Sequence, residues 1–184
     1  MILSRGRDVL LRDYVPSDLP TYLRWMRENG TWKRTDAPWE QLQGWGEETQ
    51  MAHETRFSGF LDASDNPRRR AAIEVGSGLI GWVNRYKDGE HPDACMIGID
   101  ICEDEMLGRG LGSEALRLWV DYLFSSGSFH RIGLATYSFN HAMQRLAGKL
   151  GFREEGRQRE IHYWGGEWVD RVFYGLLVSE WKSR

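Results

Sequence analysis

Apolar residues change period along the chain, and the changes mark out its elements. Alternating or continuous apolar stretches predict strands over residues 8–14, 69–75, 79–86, 94–102 and 131–137. Apolar positions recur at helical intervals elsewhere: Tyr22, Leu23, Trp25 and Met26 behind Pro16, Ser17 and Asp18; Ala115, Leu116, Trp119, Val120 and Leu123; and Ala142, Met143, Leu146, Ala147 and Leu150, stopped by Gly151. A loop over residues 31–40, rich in aromatics, leads into a further helical region reaching roughly Arg56. Two last runs, 152–164 and 167–178, flank Gly165 and Gly166, a pair able to take positive φ at both central positions of a hairpin turn. Gly76, Ser77 and Gly78, and the polar residues 87–93, separate the three middle strands, which implies an antiparallel meander. The expectation is an α/β chain with a mixed, mostly antiparallel sheet of seven strands and about four helices.

The handover from the fourth expected strand to the next helix carries Leu107, Gly108, Arg109, Gly110, Leu111, Gly112 and Ser113. Glycine lets a ligand approach the main chain and permits positive φ, and the first N–H groups of a helix lack intrahelical partners, so this stretch suits an anion. It equally suits a turn that merely packs strand on helix. A nucleoside triphosphate loop would need Lys and Ser or Thr after its last glycine, whereas Ser113 and Glu114 follow here; a dinucleotide loop would need G-x-G-x-x-G, whereas the spacing is G-x-G-x-G.

Composition narrows the class. At 184 residues, 41% hydrophobic and 28% charged, the chain is expected to form one domain over residues 1–184, and no apolar run is long enough to span a membrane. The N-terminus lacks the apolar region of a signal peptide, so a cytoplasmic location is expected. A net charge of −3 argues against nucleic acid as a general partner, with Arg68, Arg69 and Arg70 read as a solvated cluster. Cys95 and Cys102 lie too far apart along one strand to bridge, and five scattered histidines show no ligand spacing, so no metal is expected.

Gly110 to Ala115, His130-Arg131-Ile132 and the stretch from Asn140 through Lys149, Leu150, Gly151 and Phe152 to Gly156 resemble the GCN5-related N-acetyltransferases (GNAT), and within them the Rim type, over roughly residues 8–181. The family pattern Q/R-x-x-G-x-G/A falls on residues 107–112, with Leu107 departing from its first position. The resemblance implies acetyl-CoA as co-substrate, with main-chain N–H groups from Gly108 through Ser113 on its pyrophosphate. It also implies splayed fourth and fifth strands with the pantetheine arm between them near Ile99 and Ile101, and Asn140 and Met143 beside that arm. Asn140 is also well suited to cap the following helix. Direct attack of a primary amine, from a protein N-terminus or a small molecule, on the thioester follows for the family, and a base must take the amine's proton because a free aliphatic amine is almost wholly protonated at neutral pH. Many relatives carry Glu where this chain has Met96, and Ser or Tyr as thiol acid where it has Met143 and Ala147. Glu103 and Asp100 are the remaining base candidates, and a domain that binds acyl-CoA without turnover is the alternative. Trp32, Trp39 and Trp164 are expected around the acceptor, with Asp36, Glu40 and Asp170 able to attract a cation; they can equally be core lids and solvated acids. Exposed strand edges make a homodimer reasonable.

Overall fold

The computed structural model describes residues 1–35, 37–41, 44–62 and 64–183. Along the chain run β1 (Ile2–Arg5), β2 (Val9–Arg12), α1 (Leu19–Arg27), α2 (Thr31–Thr35), α3 (Glu47–Leu61), β3 (Arg70–Val75), β4 (Gly78–Lys87), β5 (Ala94–Ile101), α4 (Leu111–Ser125), β6 (Arg131–Tyr137), α5 (His141–Lys149), β7 (Arg153–Trp164), β8 (Glu167–Leu177) and α6 (Val178–Lys182). The strands form one sheet in the order β1-β2-β3-β4-β5-β6-β8-β7. The sheet therefore has eight strands rather than seven, because the chain before the first expected strand folds back on it as β1. Two helices beyond the expected four, α2 and α6, are five-residue turns too short to impose a period on the sequence.

Every neighbouring pair is antiparallel except β5 and β6, which run parallel and pair only from Ala94 to Met96 against Arg131 to Gly133. Beyond that point the strands diverge, so the sheet is split from Ile97 onward into a V-shaped opening. Met96 closes the apex: a Cβ on Gly133 would lie 2.5 Å from its sulfur, so the absent side chain of Gly133 is what admits the thioether there.

Alternation along β5 divides the two faces. Cys95 and Ile97 join the larger core beneath α4 and α5, with Leu116, Trp119, Leu123, Ile132 and Leu134, while Cys102 joins the aromatic core of Tyr14, Tyr22, Trp25, Phe57 and Trp82 under α1 and α3. The expected stripe on α4, Ala115, Leu116, Trp119, Val120 and Leu123, is wholly buried, and the Trp119 indole N–H donates to the Asn84 carbonyl at 3.1 Å. Both cysteines are free and buried; burial pushes the Cys95 thiol up to about 12 and raises that of Cys102 further. No described helix is long and apolar enough to cross a membrane.

Candidate active site

The glycine stretch does what its residues allow locally. Gly108 and Gly110 take φ of 74° and 82°, the left-handed region, and a Cβ at either would meet nothing within 4 Å. Gly110 occupies the N-cap of α4 and has no side chain to cap it, so the first N–H groups of a fifteen-residue helix point outward unclaimed by a capping group. The first turn is anchored from behind: the Glu114 carboxylate accepts from the Asp8 and Val9 N–H groups at 3.0 and 3.4 Å, tying α4 to the turn between β1 and β2.

From that helix start a groove of about 380 Å³ runs into the split sheet. It brings together Ile99, Ile101, Leu107, Gly108, Gly110, Leu111, Gly112, Ser113, Asn140 and Met143, residues from three separate stretches of sequence. Arg109 is not among its walls; its guanidinium is exposed and turned toward the Met106 sulfur. Thr31, Thr35, Ala142 and Leu146 also line the groove; the sequence marked Ala142 and Leu146 only as part of an apolar helix stripe and the two threonines not at all.

On the face of the sheet that carries α1 and α3, a hollow of about 290 Å³ opens over the split, floored by Asn84, Tyr86, Gly98, Asp100 and Tyr137 and flanked by Glu40 and Arg171. Direct pairing of Asn84 with Gly98 across β4 and β5 leaves room for the amide, whose Oδ1 is buried and finds no hydrogen-bond partner among the described residues. An unpartnered buried oxygen is costly unless a ligand or water donates to it. Thr35, Ile99, Asp100, Asn140 and Met143 line both spaces, so groove and hollow meet at the split.

The short helix α2 lies across the mouth of the split and is fastened at both ends. Asp104, just after β5, accepts from the Thr31 N–H (3.1 Å) and hydroxyl (2.8 Å), while the Asn140 amide, just after β6, donates to the Thr35 carbonyl at 2.9 Å. The other end of the same amide accepts from the Met143 N–H at 3.0 Å, so Asn140 also caps α5.

The two carboxylates expected to compete as base part company. Asp100 stands at the junction of the two spaces. Glu103 is turned aside: its carboxylate pairs with Arg24, accepts from the Trp25 indole N–H at 2.8 Å and lines a different hollow, with Arg12 and Glu74. The expected acceptor tryptophans also separate. Trp39 stacks on His162 with centroids 3.9 Å apart and meets Tyr137 and Trp164 edge-on, buttressing the hollow from outside. Trp32 instead packs edge-on against Trp82 and lines the groove. Asp170 is taken up by Arg157 and the Glu160 N–H, and Asp36 lies outside the described residues.

A diphosphate, a chain that can add to a strand edge, and a terminal acyl group fit this order of parts: outward N–H groups at α4, the β5 edge from Ile97 to Ile101 released from β6, and the junction at Asp100. Comparisons with known proteins give the family and the fold. A prophage-derived, uncharacterized N-acetyltransferase of Bacillus subtilis is 29% identical over 114 residues, covering 62% of this chain and 64% of that protein, so the chain spans less than two thirds of that relative's length. A ribosomal-protein alanine N-acetyltransferase of Escherichia coli is 27% identical over 154 residues, covering 78% of this chain and 76% of its own length. Among solved structures, a ribosomal-protein α-N-acetyltransferase in complex with coenzyme A superposes with a TM-score of 0.79 at 18% identity, covering 98% of this chain and 99% of its own. A spermidine N-acetyltransferase from Vibrio cholerae in complex with CoA and spermine does so with 0.76 at 22% identity, covering 96% and 99%. Residues 8–153 match the acetyltransferase (GNAT) domain, and the chain belongs to that family.

Proposed function

We propose that the protein is an N-acetyltransferase that moves an acetyl group from acetyl-CoA to a primary amine, both substrates being bound together. One observation carries this reading: the groove that begins at the open start of α4 and the hollow on the opposite face share five lining residues at the split in the sheet, so a ligand in each would meet there. Acetyl-CoA, when bound, supplies an activated acyl carbon and a thiol leaving group. In this reading the N–H groups from Gly108 through Ser113 hold its diphosphate, and the main chain of Ile99 and Ile101 pairs with its pantetheine arm. Asn140 and Met143 flank that arm.

The rest of the chemistry falls to residues on the amine side. Asp100, directly or through one water, takes the proton that the amine must lose before its lone pair is available, and the buried Asn84 Oδ1 accepts a second N–H and orients the nitrogen. The acceptor is a peptide N-terminus or a small-molecule amine. Thiol release on mixing the protein with acetyl-CoA and a panel of amines tests the proposal; saturable CoA binding with no release above background for any amine would refute it. That negative outcome is what the second reading, an acyl-CoA-binding module without turnover, expects. Met96 packed into the apex and Met143 at the junction favour it, since neither thioether can exchange a proton.

A further inference from the structure

A hollow of about 440 Å³ lies on the other side of α2, between α1, α2 and α3. Arg27, Lys33, His53 and Arg56 line it, and Glu40 is the one carboxylate among its described walls. Lys33 is its most informative member. The side chain is buried at 8% exposure, its ammonium donates to the Met26 carbonyl, and no carboxylate among the described residues forms an ion pair with it. Two other inward-facing cations are neutralised, Arg12 by Asp18 and Glu74 and Arg68 by Asp13, while Arg70 and Arg85 lie over aromatic rings. Glu28 attracts this ammonium only from outside ion-pair distance and the Trp32 ring lies beneath it, so a half-compensated buried charge remains that an incoming anion would relieve. Burial lowers the pKa of Lys33; burial, Arg56 and Lys33 together lower that of His53, so the cations converge on the imidazole.

The hollow is coupled to the cleft by the register of one short segment. Thr35 faces the split and Lys33, two residues earlier, faces the basic hollow; Glu40, in the turn after α2, lines both the amine hollow and the basic one. Glu40 is thus the wall the two spaces share, and an acceptor seated in the cleft has the basic hollow beside it. We propose that the basic hollow receives the negative charge of the acceptor itself, making the preferred substrate an acidic peptide whose N-terminal amine enters the cleft. This rests on the acetyltransferase reading of the adjoining site, and it adds the class of acceptor.

The experiment uses three peptides that begin with Ser-Ala and continue with Asp-Glu, Asn-Gln or Lys-Lys. Acetylation is followed by mass spectrometry, and binding to the CoA-loaded protein by calorimetry. The acidic peptide is expected to show a KM about fivefold or more below that of the neutral one, with the basic peptide poorest, and added salt should shrink the difference. Arg27→Gln and Arg56→Gln, both on exposed side chains, should raise KM for the acidic peptide toward the neutral value while CoA affinity is retained; Lys33→Met, which keeps the apolar stem, should act in the same direction. Equal binding and equal KM for the three peptides, or an acidic preference that survives all three substitutions, would overturn the proposal. Selective binding of the acidic peptide without acetylation would support it and refute the enzymatic reading; equal acetylation of all three would do the reverse.

Discussion

Replacing Gly110 by Ala separates what the glycine does for the fold from what it does for a ligand. At φ 82° and ψ −4° an L-residue is strained, by about 1–2 kcal/mol. The new methyl group itself meets nothing, since no atom lies within 4 Å of the ideal Cβ position. Gly76, in the turn between β3 and β4, has φ 63° and equally empty surroundings, so Gly76→Ala carries the same strain at a point remote from the groove. Both variants should lose roughly 2–8 °C in Tm, from about 2–4 °C per kcal/mol for a domain of this size. Only Gly110→Ala places a methyl group where a diphosphate would approach the first N–H groups of α4, and loss of one good contact there should weaken CoA by about tenfold, equivalent to about 1.4 kcal/mol. Differential scanning calorimetry and CoA titration on the two variants suffice. Equal CoA affinity in both, with matched Tm losses, would refute the placement of the diphosphate at α4.

Asp100→Asn should lower kcat/KM at neutral pH by about 10²-fold or more, whereas Glu103→Gln should leave it within a few fold and cost about 1 kcal/mol of stability through its bonds to Arg24 and Trp25; steady-state rates and urea midpoints on both variants check this, and the opposite ranking would restore Glu103 as base. Asn140→Ala should lose about 2 kcal/mol, the α5 cap and the bond to Thr35 together, and Asn140→Asp about half of that because the cap survives. Equal losses in urea unfolding would contradict that double role. Burial pushes the Asp13 carboxyl upward, but bonds from Arg68 and the N-terminal ammonium outweigh it and hold it below the ordinary 3.8. Its stabilisation is complete above the unfolded value and is lost as pH falls from about 4 toward the lower native value, so Tm measured across that range should fall more steeply for the native protein than for Asp13→Asn. Parallel curves would remove Asp13 from the acid response.

Elements whose burial is repeated over many residues were readable in advance, and those held by a few distant bonds were not. The α4 stripe through Trp119 is a local pattern set by one helix against one sheet, as is the meander from β3 to β5. By contrast, β1 has four residues with two of them exposed, too few for an alternation to register. The single turn of α2 exists because Asp104 and Asn140, about seventy and one hundred residues away in sequence, grip its ends. The glycine run was legible for the same reason as the stripe, since a left-handed φ and an open helix start are properties of neighbouring residues. The different placement of Asp100 and Glu103 was not, because it comes from Arg24 and Trp25 of α1 reaching over to one carboxylate. The basic hollow was equally hidden, Arg27, Lys33 and Arg56 being contributed one apiece by three helices.

The two cysteines have a practical corollary. A chromogenic disulfide reagent reacts with thiolates, and neither Cys95 nor Cys102 presents one: both are shielded from solvent and both ionise only in strongly alkaline solution. In the folded protein such a reagent should therefore stay colourless until coenzyme A is liberated, so turnover can be followed continuously without masking or mutating either sulfur.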